Sequence, residues 1–144
     1  MKSITLVLSL FFCSIIFSQE LTKDIYTALK NDNATALEKI ILNQDIDDCY
    51  SHSETSYCLL SLAIKMNSLS CFNLLLDKNA NTETSCTGKS PLMYAAKYGK
   101  LDFAKKLVEK GAIVTAKNKK GRTPLEYAKK YNRSTLVDYL STIK

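Results

Sequence analysis

The chain has 144 residues, of which 46% are hydrophobic, and it carries a formal net charge of +6. This length suits one domain with a single continuous core. One histidine and four glycines leave little material for metal-binding or phosphate-binding chemistry, and the sequence has no nucleic-acid recognition motif. We therefore do not expect a nucleic-acid partner.

The charge is unevenly distributed along the chain. Residues 19–87 contain five lysines and ten acidic residues, a net charge of −5. Residues 88–144, which we call the basic segment, contain twelve lysines, two arginines and four acidic residues, a net charge of +10. The basic segment has two interpretations: lysines on solvated helix faces, or a docking surface for an acidic partner. Anionic lipid is a further candidate partner.

The first predicted element is an export signal over residues 1–18. After a lysine at the second position, Ile4 to Phe17 are all apolar except for Ser, Thr and Cys, and a polar stretch follows. This pattern is typical of a secretory signal peptide, and the run is shorter than the roughly 20 residues of a membrane span. We predict cleavage after Ser18, a mature chain that begins at Gln19, a bacterial periplasmic or secreted location, and no membrane span after cleavage. An uncleaved anchor and lipidation at Cys13 are the alternatives.

From residue 21 onward the chain repeats itself. Gly88–Ala95 and Gly121–Ala128 share the pattern Gly-Lys/Arg-Ser/Thr-Pro-Leu-x-Tyr-Ala, thirty-three residues apart. An apolar pair followed by a turn residue and an apolar helical stretch recurs upstream, near Ala63 and Ala28, with slips of one or two residues. A fixed period of this length indicates stacked supersecondary units. We predict helix–turn–helix copies at 21–53, 54–86, 87–119 and 120–144.

The two C-terminal copies carry helix start and stop signals. Pro91 occupies a first helical turn, where its missing N–H costs nothing, and Ser90 before it can cap the free amides. Thr123 and Pro124 repeat this pair in the fourth copy. Gly99 lies where the first helix of the third copy should end, since glycine adopts the left-handed conformation without steric cost.

Small and apolar residues recur at helical spacing between these signals. We predict that Ala95, Ala96, Leu107 and Val108 are buried. Outside the loops, we predict that the fold is all-helical.

These motifs resemble the ankyrin-repeat family. The resemblance is carried by Gly-x-Ser/Thr-Pro-Leu at 88–92 and 121–125, by Ala95-Ala96-x-x-Gly99, and by the segment 107–112. It covers residues 21 to 144, although the second copy has Cys58-Leu59-Leu60 in place of Thr-Pro-Leu and the first copy lacks the proline signature. The resemblance implies an all-α solenoid of about four repeats that acts as a protein-binding module, not as an enzyme, without a cofactor.

The resemblance also implies a docking face. In this family the loop tips and the first helix of each repeat line a concave surface. The corresponding positions are Glu54, Thr55, Tyr57, Lys65 and Met66 in the second copy, Thr87, Lys89, Lys97 and Tyr98 in the third, and Lys119, Lys120, Arg122, Lys130 and Tyr131 in the fourth. Tyrosine beside lysine and arginine is the composition of a binding hot spot. The alternative is that Tyr98 and Tyr131 only cover helix ends.

Four cysteines follow the predicted cleavage site. Cys71 occupies an apolar helix position and is predicted to be a core thiol, whereas Cys58 opens a helix and Cys49 and Cys86 lie in loops. Because an exported protein can hold disulfides, we expect one bridge among Cys49, Cys58 and Cys86, and the sequence does not choose the pair. Without a Cys-x-x-Cys pair or a nearby histidine ligand, we predict no zinc site.

The sequence contains no catalytic constellation. His52 lies in a polar loop and is expected to be solvated. The cluster of Asp45, Asp47 and Asp48 lacks the alternating oxygen spacing of a calcium loop, so we interpret it as a turn with helix-end charges. We predict a monomeric, non-catalytic module with no cofactor or metal that binds another protein. Two related functions remain open: an immunity or inhibitor protein that neutralises a toxin or enzyme, and an accessory factor that stabilises a periplasmic enzyme.

Overall fold

A computed structural model describes residues 19–143. The predicted export signal over residues 1–18 lies outside this range. The described part of the chain forms these elements in order: β1 Gln19–Glu20, α1 Lys23–Lys30, α2 Ala34–Ile41, β2 Tyr50–His52, β3 Thr55–Tyr57, α3 Leu59–Met66, α4 Leu69–Asp77, α5 Pro91–Tyr98, α6 Leu101–Glu109, α7 Pro124–Lys130 and α8 Ser134–Thr142.

The helices form a linear stack of pairs. Each odd-numbered helix packs against the even-numbered helix that follows it. The odd-numbered helices α1, α3, α5 and α7 also pack on one another in order, and we call them the inner row. The even-numbered helices form the outer row, in which α2 packs against α4. A stack of this kind buries one core that runs through all four pairs, as expected for a solenoid.

The predicted start and stop signals are confirmed. The Ser90 hydroxyl oxygen accepts a hydrogen bond from the Met93 amide at the start of α5. At the start of α7, Thr123 and Glu126 form a reciprocal capping box. Gly99 ends α5 with φ +70°, a left-handed conformation that glycine adopts without strain.

Three of the four predicted core positions in the third copy are fully buried. Ala95, Ala96 and Leu107 are each 0% exposed. The prediction is wrong for Val108, which is only half-buried. It follows Leu107 by about 100° around α6, so it lies at the edge of the apolar stripe and not at its centre.

The fold is helical outside the loops, as predicted, and the first loop contains short strands that the sequence did not indicate. β2 and β3 pair antiparallel, with Tyr50 opposite Tyr57, and β1 pairs parallel to β2, with Gln19 opposite Tyr50. The two-residue turn between β2 and β3 contains Ser53 at φ +58°. The first two helix pairs are therefore linked by a hairpin, and the chain immediately after residue 18 adds a third strand to it.

A disulfide connects this hairpin to the next loop. It joins Cys49, directly before β2, to Cys86 in the loop before α5, across a sequence separation of 37 residues. Cys58 and Cys71 are buried free thiols, in agreement with the prediction that Cys71 belongs to the core. Burial raises the pKa of Cys71 to about 12, with a further contribution from nearby Asp32.

Two loop predictions have different outcomes. His52 is not a solvated side chain: it is half-buried, and its ring stacks on Tyr26 with centroids 5.4 Å apart. The aspartate cluster does form a turn, in which the Asp45 carboxylate accepts the Asp47 amide and the Asp47 carboxylate accepts the Asn81 amide of the next loop. Among residues 19–143, no group of histidine, cysteine or acidic side chains is arranged to hold a metal ion.

Across the same residues 19–143, the helices are too short or too polar for any of them to cross a membrane.

Candidate protein-binding surface

Tyrosine rings line the inner row of helices. Tyr94 and Tyr98 lie four residues apart on α5 and stack with centroids 6.2 Å apart, and Tyr127 and Tyr131 of the next pair stack at 6.4 Å. Side chains at this spacing share one helix face. Tyr57, at the end of β3, extends the row by packing against Tyr94 at 5.3 Å.

Lysine ammonium groups cover these rings. Lys97 lies between two of them, with its Nζ 5.1 Å from the Tyr98 centroid and 5.5 Å from the Tyr131 centroid. Three further pairs make the same contact: Lys65 over Tyr57 at 4.5 Å, Lys89 over Tyr94 at 5.5 Å, and Lys130 over Tyr131 at 5.6 Å. Cation–π attraction therefore favours these positions of the four ammonium groups along one surface. We call these lysines and tyrosines the lysine–tyrosine strip.

A groove opens between the loop tips of the last two helix pairs. Its volume is about 780 Å³. We call its less charged part the floor: nearly buried Met93 and Tyr127 and half-buried Ala116 supply apolar surface there, and buried Ser90 adds one hydroxyl group. The rim carries six cations: Lys89, Lys117, Lys119, Lys120, Arg122 and Lys130. We call this cleft the basic groove.

The rim of the groove contains one acidic residue, and that residue already has a partner. Glu83 accepts a hydrogen bond from the Ile113 amide at 3.0 Å. Among the described residues the one ion pair joins Lys78 to Glu38, away from the groove. None of the six rim cations therefore forms an ion pair with a carboxylate within this part of the chain, although Glu126 lies near Lys117 and Arg122.

The loop tip that carries most of these cations is rigid. The Asn118 carboxamide oxygen accepts the amides of Lys120 and Arg122, each at 2.9 Å, and its nitrogen donates to the Tyr127 hydroxyl. Gly121 completes the turn with φ +70°, in the left-handed region. The backbone that presents the cations is therefore held in place before any partner arrives.

The loop tip before α5, on the other side of the groove, is held by a disulfide and a hydrogen bond. Cys86 is tied to the hairpin by its disulfide, and the Thr87 hydroxyl lies 3.1 Å from the Tyr94 hydroxyl. Burial raises the pKa of Tyr94 to about 12, although the Thr87 hydrogen bond opposes this effect. Tyr94 therefore remains a neutral hydrogen-bonding group at ordinary pH.

The electrostatic effect of the basic tip is visible at one carboxyl group. The hydrogen bond from the Thr123 amide lowers the pKa of Glu126, and nearby Lys117 and Arg122 lower it further. This side chain is exposed. The positive charge of the tip therefore favours the carboxylate form of an acid in open solvent.

Comparison with known proteins identifies the fold. The family model described as ankyrin repeats, three copies, matches residues 25–118 and 60–143. The chain belongs to the ankyrin-repeat family. Ankyrin repeats are in general protein–protein interaction modules, and the row of α1, α3, α5 and α7 with its loop tips is the corresponding surface of this chain.

Its relatives share the repeats but differ in length. An ankyrin repeat protein of Variola virus is 33% identical over 102 residues, which are 69% of this chain and 18% of that protein. A putative ankyrin repeat protein of Rickettsia bellii is 32% identical over 95 residues, 61% of this chain and 56% of that protein. A poly [ADP-ribose] polymerase tankyrase of Caenorhabditis elegans is 45% identical over 69 residues, 44% of this chain and 3% of that protein. The likeness therefore concerns the ankyrin repeats and not the whole relatives.

The structure brings most of the predicted site residues of this ankyrin-repeat chain together. Ten of the eleven belong to the lysine–tyrosine strip or the basic groove, or to both: Tyr57, Lys65, Lys89, Lys97, Tyr98, Lys119, Lys120, Arg122, Lys130 and Tyr131. Tyr98 and Tyr131 are half-buried, so they also cover helix ends. Met66 is half-buried and packs against the core.

Tyr57 requires a correction. Its side chain is only 7% exposed, because it packs against Tyr94 and lies beneath the Lys65 ammonium group, which donates a hydrogen bond to its hydroxyl at 3.1 Å. Tyr57 therefore positions Lys65 and does not itself offer a contact surface. Sequence reasoning missed Lys117, although the run of lysines around residue 118 was a signal that could have revealed it.

Proposed function

We propose that this ankyrin-repeat chain is a non-catalytic module that binds an acidic protein through the lysine–tyrosine strip and the basic groove. The observation that carries the proposal is that six cations line one groove and none of them forms an ion pair with a carboxylate among the described residues. Like charges held close together repel one another, and an acidic partner removes this repulsion. The partner also gains attraction from cations whose backbone is already held in place.

The covered tyrosine rings favour the same class of partner. An aromatic face that is free can accept a cation or an apolar side chain from outside. Here the faces of Tyr98 and Tyr131 are occupied by Lys97 and Lys130. A cationic partner would have to displace these lysines, whereas an acidic partner can bind on top of them.

The titratable groups support a non-catalytic role. The two groups whose pKa is raised to about 12 are Cys71 and Tyr94, and burial is the main cause in both. Both stay protonated near neutral pH, so neither supplies a nucleophile or a base.

We also propose that the chain acts as a monomer after export, in the periplasm or outside the cell. The pattern of residues 1–18 supports export. The disulfide between Cys49 and Cys86 supports an oxidising compartment, because such bonds are rare where thiols are kept reduced.

The test is a matched pair of charge reversals. One variant changes the groove tip, and the other makes the same change in net charge at exposed lysines that do not line the groove. The groove variant is Lys119→Glu, Lys120→Glu, Arg122→Glu, and the control variant is Lys105→Glu, Lys110→Glu, Lys129→Glu. Both should fold, because exposed charges contribute little to stability.

Partners captured from an extract of the native envelope are quantified against wild type, and their association rates are then measured at low and high salt. The groove variant should associate about tenfold more slowly at low salt and show a weaker salt dependence, while the control stays within about twofold. If both variants associate as fast as wild type, the basic groove is a solvated face. The binding site then has to be sought on the second copy, around Lys65 and Met66.

A further inference from the structure

We infer that the basic groove binds an extended acidic segment of the partner in which acidic and apolar residues alternate. The inference rests on the proposed function and adds the form and sequence character of the bound element. A folded acidic surface lying across all the repeats is the contrasting arrangement.

The shape of the groove favours a segment of chain. It is a cleft of about 780 Å³ between two loop tips, which lies within the roughly 300–1,000 Å³ of ordinary ligand pockets. A flat or convex protein surface would contact the lysines of the rim and leave the floor near Met93 and Ala116 empty. A single extended chain can enter between the tips and reach that floor.

The two layers of the groove favour alternation. The rim is cationic, with Lys89 on one tip and Lys120 and Arg122 on the other, whereas the floor contains Met93 and Ala116. Successive side chains of an extended chain point to opposite sides. A chain lying along the groove therefore directs every second residue to the floor and the residues between them towards the rim. Acidic residues suit the rim, and apolar residues suit the floor.

The groove is prepared for such a segment before binding. One tip is fixed by the Cys49–Cys86 disulfide, and the other by the hydrogen bonds of Asn118 to two backbone amides and to Tyr127. These bonds restrict movement of the rim, so little ordering cost remains on the protein side.

Three labelled peptides of equal length test the inference by fluorescence anisotropy with the purified, oxidised protein. In the first, glutamate alternates with leucine; in the second, glutamate alternates with serine; in the third, lysine alternates with leucine. The first and second peptides have the same charge and the same spacing. We expect the glutamate–leucine peptide to bind about tenfold more tightly than the glutamate–serine peptide and the lysine–leucine peptide not to bind.

Variants assign the effect to the groove. The triple groove reversal should abolish binding of the glutamate–leucine peptide, and the control reversal at Lys105, Lys110 and Lys129 should leave it within about twofold. Ala116→Ser should reduce the preference for leucine over serine, because it places a hydroxyl group on the apolar part of the floor. A purely structural role of Ala116 would weaken both acidic peptides equally.

Several outcomes would overturn the inference. Equal binding of the two glutamate peptides, or full competition by inorganic tripolyphosphate at equal charge, would make the groove a site for anions in general. Self-association of the protein at low salt that the groove reversal abolishes would make a second copy of the chain the occupant. If no peptide binds but the association of a captured partner still depends on the groove cations, this inference is wrong and the proposed function stands. If partner association does not depend on the groove cations either, the proposed function is wrong as well.

Discussion

At the scale of single residues, the interface between the first two copies contains a helix cap supplied by the neighbouring repeat. Ser68 precedes α4, but its hydroxyl donates to the Leu29 carbonyl oxygen and does not cap its own helix. The Asp32 carboxylate instead accepts the amides of Ser70 and Cys71, at 3.0 and 2.9 Å. The first turn of one repeat is thus completed by a side chain of the previous one.

The Asp32 cap should make stability depend on pH. Partial burial acts to raise the pKa of Asp32, but hydrogen bonds from the Cys71 and Ser70 amides outweigh it, so that the pKa lies below its ordinary value of 3.8. A carboxyl group whose pKa is lowered by folding contributes stability above its unfolded pKa, and that contribution is lost as the pH falls through the folded pKa. The effect should therefore appear in the acid range below about pH 4.

We expect Asp32→Ala to lower the free energy of unfolding by about 1–2 kcal/mol at neutral pH. It removes the cap and places alanine at φ +49°, where residues with a side chain are strained. Asp32→Asn is the matched control, because asparagine keeps an acceptor and tolerates this conformation. Urea unfolding between about pH 7 and pH 2 should show wild type losing its advantage over Asp32→Asn as the pH falls. If the unfolding free energies of wild type and Asp32→Asn differ by the same amount at every pH in this range, the carboxylate charge has no role in the cap.

Caps within one helix were predictable from the sequence, whereas the cap from Asp32 was not. Ser90 and the amide it binds are three residues apart, so the spacing alone reveals the motif. Asp32 and the Cys71 amide are 39 residues apart, and only the stacking of two repeats brings them together. The same reason explains Val108, whose position at the edge of the stripe depends on the neighbouring helices.

At the scale of elements, the helices were predictable and the strands were not. Each helix of α5–α8 is marked by a turn residue and by apolar residues at helical spacing. Strands β2 and β3 have three residues each, too few for an alternating pattern to stand out. The misplacement of Tyr57 has the same origin, since this residue ends β3 and packs inward, although the family pattern put it on a surface.

Removal of core volume from α6 tests the stacked arrangement. Leu107 is 0% exposed, and Leu107→Ala should lower the free energy of unfolding by roughly 2–5 kcal/mol because the deleted methyl groups leave a cavity. Leu42→Ala deletes the same atoms at a position that is 68% exposed, and should change stability by less than about 0.5 kcal/mol. Chemical denaturation of both variants beside wild type measures this. Equal changes at the two positions would be incompatible with a core running through α6.

At the scale of the whole molecule, the disulfide and the distribution of charge distinguish the two ends of the stack. The first loop carries the aspartates near residue 47, and the basic groove lies at the other end. The bond between Cys49 and Cys86 spans the copy between them. The sequence could not select this pair over one with Cys58, because the choice depends on how two loops 37 residues apart lie side by side.

Loss of the disulfide should lower stability and loosen one side of the groove. For the double variant Cys49→Ser, Cys86→Ser, chain entropy predicts a loss of about 3–4 kcal/mol for a closed loop of this length. Thermal unfolding followed by circular dichroism should show that reducing the disulfide lowers the stability of wild type as much as the double substitution does. Reaction with a thiol reagent is the control. The thiols of Cys58 and Cys71 are buried, so in the folded protein they should not react, and in the unfolded protein they should. Identical melting of oxidised and reduced wild type would contradict this assignment of the bond.

The disulfide also determines how the molecule would respond to mechanical force. Cys49 and Cys86 enclose the whole of α3 and α4, and their Cα atoms are 5.6 Å apart. When the two ends of the chain are pulled apart, tension passes directly across this bond, so the enclosed repeat bears no load and cannot be stretched. Extension at about 3.3–3.6 Å per residue implies that roughly 120–130 Å of chain remains hidden until the bond is reduced. Force would therefore extend the repeats on either side without adding the length of the second repeat.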